Sequence, residues 1–399
     1  MGQAEVNKTF AKAPIIFQRQ VVLMDFNYTL PVNLMFGSGK SELAGEVCKN
    51  YGKKAFVVTG GSSTKRSGLL DRVVSRLTES GVDSVVFDKV TQNPLTSTVY
   101  EGVELARAEG CDVVLGVGGG SIMDAAKAIA FCMNNDGDIS DYIFGLKQGK
   151  KAVTIILIPT TCGTGSEGNQ IAVLTNPITK DKKALYTMNI LPAVSIIDPQ
   201  VMKTMPKHIL CSVGFDAFTH SLEAYTSKKA NPLTDAQALL GIKLIARNLP
   251  MLMESYDNDR AWEAVSLAAT LGGMVIGVAG VSAAHGLEHP ASGLKNIVHG
   301  RGLAALTPII VDRLAPALPQ KFAEVSKILG GKDETDCADS IRKFLKAIDL
   351  DVKLGDLGIV QDDVQWMTDN CMKISAGNLN NAPKVFSKEE VAEIYSLAI

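Results

Sequence analysis

The sequence predicts an α/β N-terminal domain built on a parallel sheet, followed by an all-α C-terminal domain. Two patterns predict it. Through the first half, short β-branched apolar runs alternate with helical stretches, the signature of a parallel sheet covered on both faces. Beyond about Val201 the strand signal fades and long helical segments take over. The boundary is expected near Pro199 to Met205, giving a sheet domain over residues 24–202 and a helical domain over 203–399.

The expected strands are Ala55 to Thr59, Ser84 to Asp88, Val113 to Val117, Val153 to Ile158 and Val194 to Asp198. Each is a continuous apolar run, as strands buried on both faces require. Leu69 to Ser80, Thr96 to Glu109 and Ile122 to Met133 read as the intervening helices. No internal repeat or low-complexity tract is visible.

A chain of 399 residues is long enough for two or three domains and a large core. Its 40 Lys and Arg nearly balance 42 Asp and Glu, for a net charge of −2, and the charges are mixed along the chain. No basic patch stands out, which argues against a nucleic-acid partner. No stretch of about 18 residues is apolar enough to suggest a membrane span. Leu267 to Ala284 comes closest, but its Gly, Ala and Ser suit a tightly packed buried helix. The N-terminus lacks a signal peptide's long apolar run. Seven scattered cysteines with no C-x-x-C pair read as buried thiols in a reducing compartment. A cytoplasmic protein is expected.

Glycine marks the first candidate site. The Asp112 to Val117 run leads directly into Gly118-Gly119-Gly120-Ser121, and a helix follows. Strand, glycine turn and helix N-terminus together make an anion site, where backbone N–H groups meet a phosphate. This departs from the usual dinucleotide fingerprint, because Ser121 stands where a third glycine belongs and no acidic residue closes the next strand. A second loop, Thr160-Thr161-Cys162-Gly163-Thr164-Gly165-Ser166-Glu167, follows the strand ended by Pro159. Its hydroxyls can donate to phosphate and ribose, although such loops are common.

The second candidate site uses three of the chain's five histidines. Asp216 and His220 sit four apart in a helical stretch, so they share one helix face. His285 and His299 come later, in His-Gly-Leu-Glu-His-Pro and Val-His-Gly-Arg-Gly. Three imidazoles and a carboxylate suit Zn²⁺ or Fe²⁺. Spacing alone does not separate that reading from ordinary polar residues. Nor does it say whether His285 or His289, one helical turn on, would bind the ion.

Taken together these motifs resemble the iron-containing (group III) alcohol dehydrogenase family, over most of the chain from about Tyr28. The resemblance is carried by Gly118 to Lys127, Thr160 to Glu167 (with Cys162 where Ala is usual), Gly214 to His220, and His285 to Pro290 with His299-Gly300. Asp25 to Tyr28, Phe36-Gly37 and Glu288-His289 look most like the butanol-dehydrogenase branch. It implies a dehydroquinate synthase-like fold and a metal-dependent, NAD(P)-linked enzyme interconverting primary alcohols and aldehydes. The metal would be Fe²⁺, with Zn²⁺ or Mn²⁺ as alternatives, held by Asp216, His220, His285 and His299. Gly60, Ser62, Gly118, Gly119, Gly120, Ser121, Asp124, Thr160, Thr161, Thr164 and Lys182 would serve the nucleotide. The charge run around Lys182 is equally well a solvated surface. His289 would lie beside nicotinamide and substrate as a proton relay, or stand as a hydrogen-bonded neighbour of the site.

NAD-preferring relatives tend to carry Asp near Gly60, where it would accept from the ribose 2′-OH. Its absence, with Ser62, Ser63 and Lys65 nearby, favours NADPH. A homo-oligomer acting on a small molecule is expected. Residues 1–23, upstream of Met24, fall outside the pattern and read as a dispensable extension. Glycerol dehydrogenases and dehydroquinate synthase-like lyases share the fold. The lyase needs a basic cluster that Phe215 to Tyr225 lacks. The Asn378-Leu-Asn-Asn381-Ala-Pro383 stretch departs from the Asn-Pro-Arg of many relatives. A non-catalytic nucleotide-binding scaffold is the third alternative, disfavoured by the intact set of metal ligands.

Overall fold

The computed structural model describes residues 26–29 and 32–399. The extension expected at residues 1–23 lies outside the described residues. Six parallel strands form the main sheet in the order β1-β8-β5-β4-β2-β3. They are β1 Asn33–Phe36, β2 Lys54–Gly60, β3 Asp83–Val90, β4 Val113–Gly118, β5 Thr154–Pro159 and β8 Val194–Ile197. A two-stranded antiparallel hairpin, β6 Ile171–Thr175 and β7 Lys182–Tyr186, follows β5.

Alternation along the strands divides the core into two. Val57, Leu115 and Ile156 point to one face, and Phe56, Val58, Val114, Ile155 and Leu157 to the other. The second face is covered by the helices Thr96–Ala108 and Gly120–Asn134 through Val99, Val103, Ala126 and Ile129. The first face runs without a break into the core of the helical half. The five strands and three helices expected from sequence are present with ends shifted by at most two residues. Strand β1 and the β6–β7 hairpin were not anticipated. Strand β1 is only four residues long, and the hairpin alternates too weakly to register.

The sheet ends at Ile197, and the first long helix of the second half is Lys207–Thr226. It packs against Pro232–Glu254 and Asp259–Ala279. Asp259–Ala279 is long and apolar enough to cross a membrane, but 67% of its apolar window is buried inside the protein, which marks a core helix. The buried helix expected over Leu267 to Ala284 is corrected here. The helix stops at Ala279 because Gly280 takes φ 72°, and a new helix, Ala283–Lys295, begins after Ser282. That break aims His285 and His289 into the cleft.

Proline interrupts the hydrogen bonding of the Ala283–Lys295 helix at position 290. Lacking an N–H, Pro290 leaves the Gly286 carbonyl without its helical donor. The Cys371 thiol supplies one at 3.3 Å. All seven cysteines are buried free thiols.

Candidate active site

Two cavities meet at the carboxyl ends of the strands, where ligands bind in open α/β sheets. The larger, about 1120 Å³, lies over the ends of β2, β4 and β5 and is walled on the far side by Ile297 to Gly300. The smaller, about 430 Å³, is lined by His220, His285, His289 and His299. Gly120, Ser121, Thr164, Asn93 and His299 line both, so the two form one continuous cleft.

Gly60, Ser62, Gly119, Gly120, Ser121, Thr160, Thr161 and Thr164 all line the larger cavity. Gly118, Gly119 and Gly120 need no left-handed backbone, since none has a positive φ. They are glycines for lack of room. A Cβ on Gly120 would sit 2.2 Å from Thr164 Cγ2, one on Gly119 3.0 Å from Thr161 Oγ1, and one on Gly118 2.7 Å from Ile122 Cβ. The glycine loop and the threonine loop are thus packed directly on each other. Gly118 itself is turned into this packing rather than to the cavity.

Asp124 supports the loops instead of facing outward. Its Oδ1 accepts from Ser166 Oγ at 2.6 Å and its Oδ2 from the Val173 N–H at 3.0 Å. Burial raises its pKa, partly opposed by the Lys127 ammonium. Lys127 is wholly buried and donates to Ser166 Oγ, Asn169 Oδ1 and the Ile171 carbonyl, and burial pulls its pKa down to about 8. Lys65, expected to face the 2′ position, is instead paired with Asp88 of β3, while Arg66 lines the cavity.

At the other end, the Lys207–Thr226 helix presents Asp216 and His220 on one face. His285 comes from Ala283–Lys295, and His299 opens the helix His299–Leu314. The Nε2 atoms of His220, His285 and His299 lie 3.5, 3.5 and 3.7 Å from Asp216 Oδ1. These gaps are too long for hydrogen bonds. They match the roughly 3.4 Å separating neighbouring ligand atoms on ~2.1 Å tetrahedral metal bonds. Asp216 Oδ1 and His285 Nε2 are buried without any hydrogen-bond partner. Such orphans are costly unless something fills the space between them. The donor set therefore fits a divalent transition metal. Asp216, His220 and His285 form one trio with ligand atoms within 4.8 Å of one another, and His299 forms another with Glu288 and His289 on the same measure.

Behind the histidines stand two glutamates. Glu223 pairs with His285 Nδ1 and accepts from Ser282 Oγ at 3.0 Å and the Ala284 N–H at 2.6 Å. Glu288 pairs with His299 Nδ1 and lies 3.5 Å from Lys182 Nζ. Such carboxylate–imidazole pairs fix the ring so that Nε2 faces the ion. Glu223 went unassigned at the sequence level, although it continues the face of Asp216 and His220 at i+7, and Glu288 follows His285 by one helical turn. Lys182 is buried here rather than on a solvated surface.

Burial alone would raise the Asp216 carboxyl, but the His220, His285 and His299 imidazoles outweigh it and hold the group well below the usual range. Burial pulls His220 down to about 4. Burial also opposes the charged form of His285, but Glu223 and Asp216 together prevail and raise it to about 9. His289, buried beside Lys182, is held well below its ordinary value, first by burial. Its ring centroid lies 5.8 Å from that of His299 and 6.1 Å from that of His285.

A parallel-sheet domain with phosphate-sized glycine loops, facing a histidine–carboxylate cluster across a shared cleft, defines the class of metal-dependent nicotinamide oxidoreductases. Comparison with known proteins gives the family. The iron-containing alcohol dehydrogenase description matches residues 31–199, and the C-terminal description of the same family matches residues 211–399. The chain is 36% identical over 383 residues to a 1,3-propanediol dehydrogenase of Citrobacter freundii, covering 94% of this chain and 98% of that one. It is 30% identical over 386 residues to the NADH-dependent butanol dehydrogenase A of Clostridium acetobutylicum, covering 94% and 99%. Among solved structures it superposes on an archaeal alcohol dehydrogenase from a Red Sea brine pool with TM-score 0.90, at 32% identity and coverage of 94% and 99%. The NADH-dependent butanol dehydrogenase A of Thermotoga maritima gives TM-score 0.88 at 34% identity, with coverage of 94% and 98%. The chain belongs to the iron-containing alcohol dehydrogenase family. It is an alcohol–aldehyde oxidoreductase that uses NAD(P) and a divalent metal.

Proposed function

We propose that this enzyme reduces aldehydes to primary alcohols with NADPH in preference to NADH. In this reading Fe²⁺, or Zn²⁺ or Mn²⁺ in its place, is held by Asp216, His220, His285 and His299. The observation that carries it is the convergence of three imidazole Nε2 atoms on the partnerless Asp216 Oδ1. When bound, a divalent ion polarises the substrate oxygen and the nicotinamide carries the hydride. The chain's own residues do the rest. Glu223 and Glu288 keep His285 and His299 turned inward. The packed glycine and threonine loops leave backbone N–H groups free for the pyrophosphate at the start of the Gly120–Asn134 helix.

His289 lines the substrate cavity, where burial favours its neutral imidazole, and would relay a proton, one ring nitrogen donating to the substrate oxygen while the other accepts from solvent. Ile171, Val173, Ile276 and Ile374 give that cavity an apolar wall suited to an alkyl chain. Gly60 at the end of β2 leaves space for a 2′-phosphate, with Ser62, Ser63 and Arg66 on the same wall. The seven buried free thiols suit a reducing, cytoplasmic compartment.

The test is a turnover panel on metal-free protein: short aldehydes with NADPH or NADH, before and after adding Fe²⁺, Zn²⁺ or Mn²⁺. Turnover should require the metal and be faster with NADPH. Full activity in a thoroughly demetallated sample would sink the metal site, and a preference for NADH would sink the cofactor assignment.

A further inference from the structure

Four non-glycine residues among those described have a positive φ: Asn93, Lys180, Asn296 and Asp349. Such backbones are rare and gather at functional sites. Three of these four lie along one seam, between the sheet domain and the C-terminal end of the Ala283–Lys295 helix. Asn93, at φ 48°, donates from Nδ2 to Asn296 Oδ1 at 2.8 Å and to the Ile297 carbonyl at 3.2 Å. Asn296, at φ 53°, also receives Gln92 Nε2 on its backbone carbonyl at 2.8 Å. Lys180, at φ 63°, lays its carbonyl against Gly293, where a Cβ would come within 2.1 Å of it.

The sheet side of this clasp is itself anchored. The Pro94 carbonyl accepts from the Thr175 N–H at 2.9 Å, tying the loop after β3 to the β6–β7 hairpin. On the helical side, Asn296 stands three residues before His299. Ser292, whose N-terminal neighbour on the same face is Glu288, donates its hydroxyl hydrogen to the Glu288 carboxylate, and the Ile297 carbonyl lies 3.4 Å from the same oxygen. Asn93 and His299 both line the two cavities, and Gln92 lines the nucleotide cavity. The loop that would feel the nucleotide is therefore hydrogen-bonded to the segment that places the third histidine.

We infer that Gln92, Asn93 and Asn296 form a positioning clasp that couples occupancy of the nucleotide cavity to the grip of His299 on the metal. This rests on the proposed metal site. Two αL backbones locked by side-chain bonds hold one geometry only while both partners stay in register. A nucleotide that orders the Gln92–Asn93 loop would therefore order Asn296 through His299, and a metal gripped by His299 would in turn favour the nucleotide-bound arrangement.

The experiment measures release of Zn²⁺ from zinc-loaded enzyme to an excess of a chromogenic chelator. It is run with and without saturating ADP-ribose or its 2′-phosphorylated form. These probes lack the nicotinamide ring, so they cannot shield the metal directly. In the unaltered enzyme a saturating probe should slow release at least fivefold. In Asn93→Gly and in Asn296→Gly, which keep the left-handed backbone but lose the amide bond, the ratio should fall below twofold. The double variant should fall no further. A merely structural loosening would speed release equally with and without probe and leave the ratio unchanged. Gln92→Ala, a milder change, should lower the ratio in the same direction if either glycine variant fails to fold. A release rate indifferent to probe in the unaltered enzyme, or variants that keep its full ratio, would overturn the clasp alone. Failure of the enzyme to retain stoichiometric metal would overturn both the clasp and the metal site on which it rests.

Discussion

The two ends of the cleft are specified by opposite means. At the metal end, side-chain chemistry decides everything: Asp216, His220, His285 and the two glutamates are buried, His299 is partly so, and Glu223 and Glu288 pair with the rings of His285 and His299. At the nucleotide end, the absence of side chains decides. Gly119, Gly120 and Gly60 leave backbone and space, and the neighbouring threonines fill what remains. The first kind of site should fail abruptly when a ligand is removed. The second should fail in proportion to the volume added.

The largest expected effect breaks the metal end alone. His285→Ala removes one Nε2 and takes from the buried Glu223 carboxylate the imidazole it is paired with, a destabilising change. Stoichiometric metal should be lost and kcat should fall at least ~10³-fold, the scale of a deleted electrostatic contact at a reacting oxygen. ADP-ribose binding, followed by calorimetry, should survive. Retained metal would mean that His285 is not a ligand.

The intermediate effect breaks the nucleotide end alone. In Gly120→Ala the new methyl must displace Thr164, a β-branched side chain with little rotamer freedom. Overpacking of this kind costs about 1–3 kcal/mol, so nucleotide affinity should weaken on the order of ten- to a hundredfold. Metal content should stay stoichiometric by elemental analysis. Simultaneous loss of metal would show that the added methyl disturbs the fold beyond the nucleotide end.

The smallest effect sharpens the comparison by adding chemistry to the end that lacks it. Gly60→Asp places a carboxylate where a 2′-phosphate would sit, although its Cβ must settle 3.3 Å from the Val90 carbonyl. One lost charged contact is worth about 1–3 kcal/mol, so the NADPH/NADH ratio of kcat/KM should swing roughly tenfold toward NADH. An unchanged ratio in steady-state kinetics would mean that Gly60 lies away from the 2′ position.

The same contrast explains what could be read from the sequence. The long buried strands and the helices between them announce themselves through uninterrupted apolar runs, and the fold class was legible from these alone. The four-residue β1 and the β6–β7 hairpin were not, because their pairing is set by tertiary neighbours. Asp216 and His220 were legible as a pair because one helix holds both. His285 could not be separated from His289 by spacing, since both share a face, and only the break at Gly280 decides which ring meets Asp216. The Lys65–Asp88 pair stayed hidden because it joins the short helix after β2 to β3, and the adjacency of those strands is a property of the sheet. Asn93 and Asn296 stayed hidden because a left-handed asparagine looks like any other until its φ is known.

The carboxylates behind the histidines also set an electrical condition on the cleft. Asp216, Glu223 and Glu288 are all held in their ionised form, and Lys182 is the cation beside them. An ion held at the three Nε2 atoms would displace any proton there, leaving the pocket with three carboxylates against the Lys182 ammonium, a surplus of two negative charges. A doubly charged ion brings it to electroneutrality, a monovalent one leaves it short, and a trivalent one overshoots in a medium that screens poorly. The pocket thus selects by oxidation state as well as by ligand type. Were the ion iron, this balance would favour Fe²⁺ over Fe³⁺.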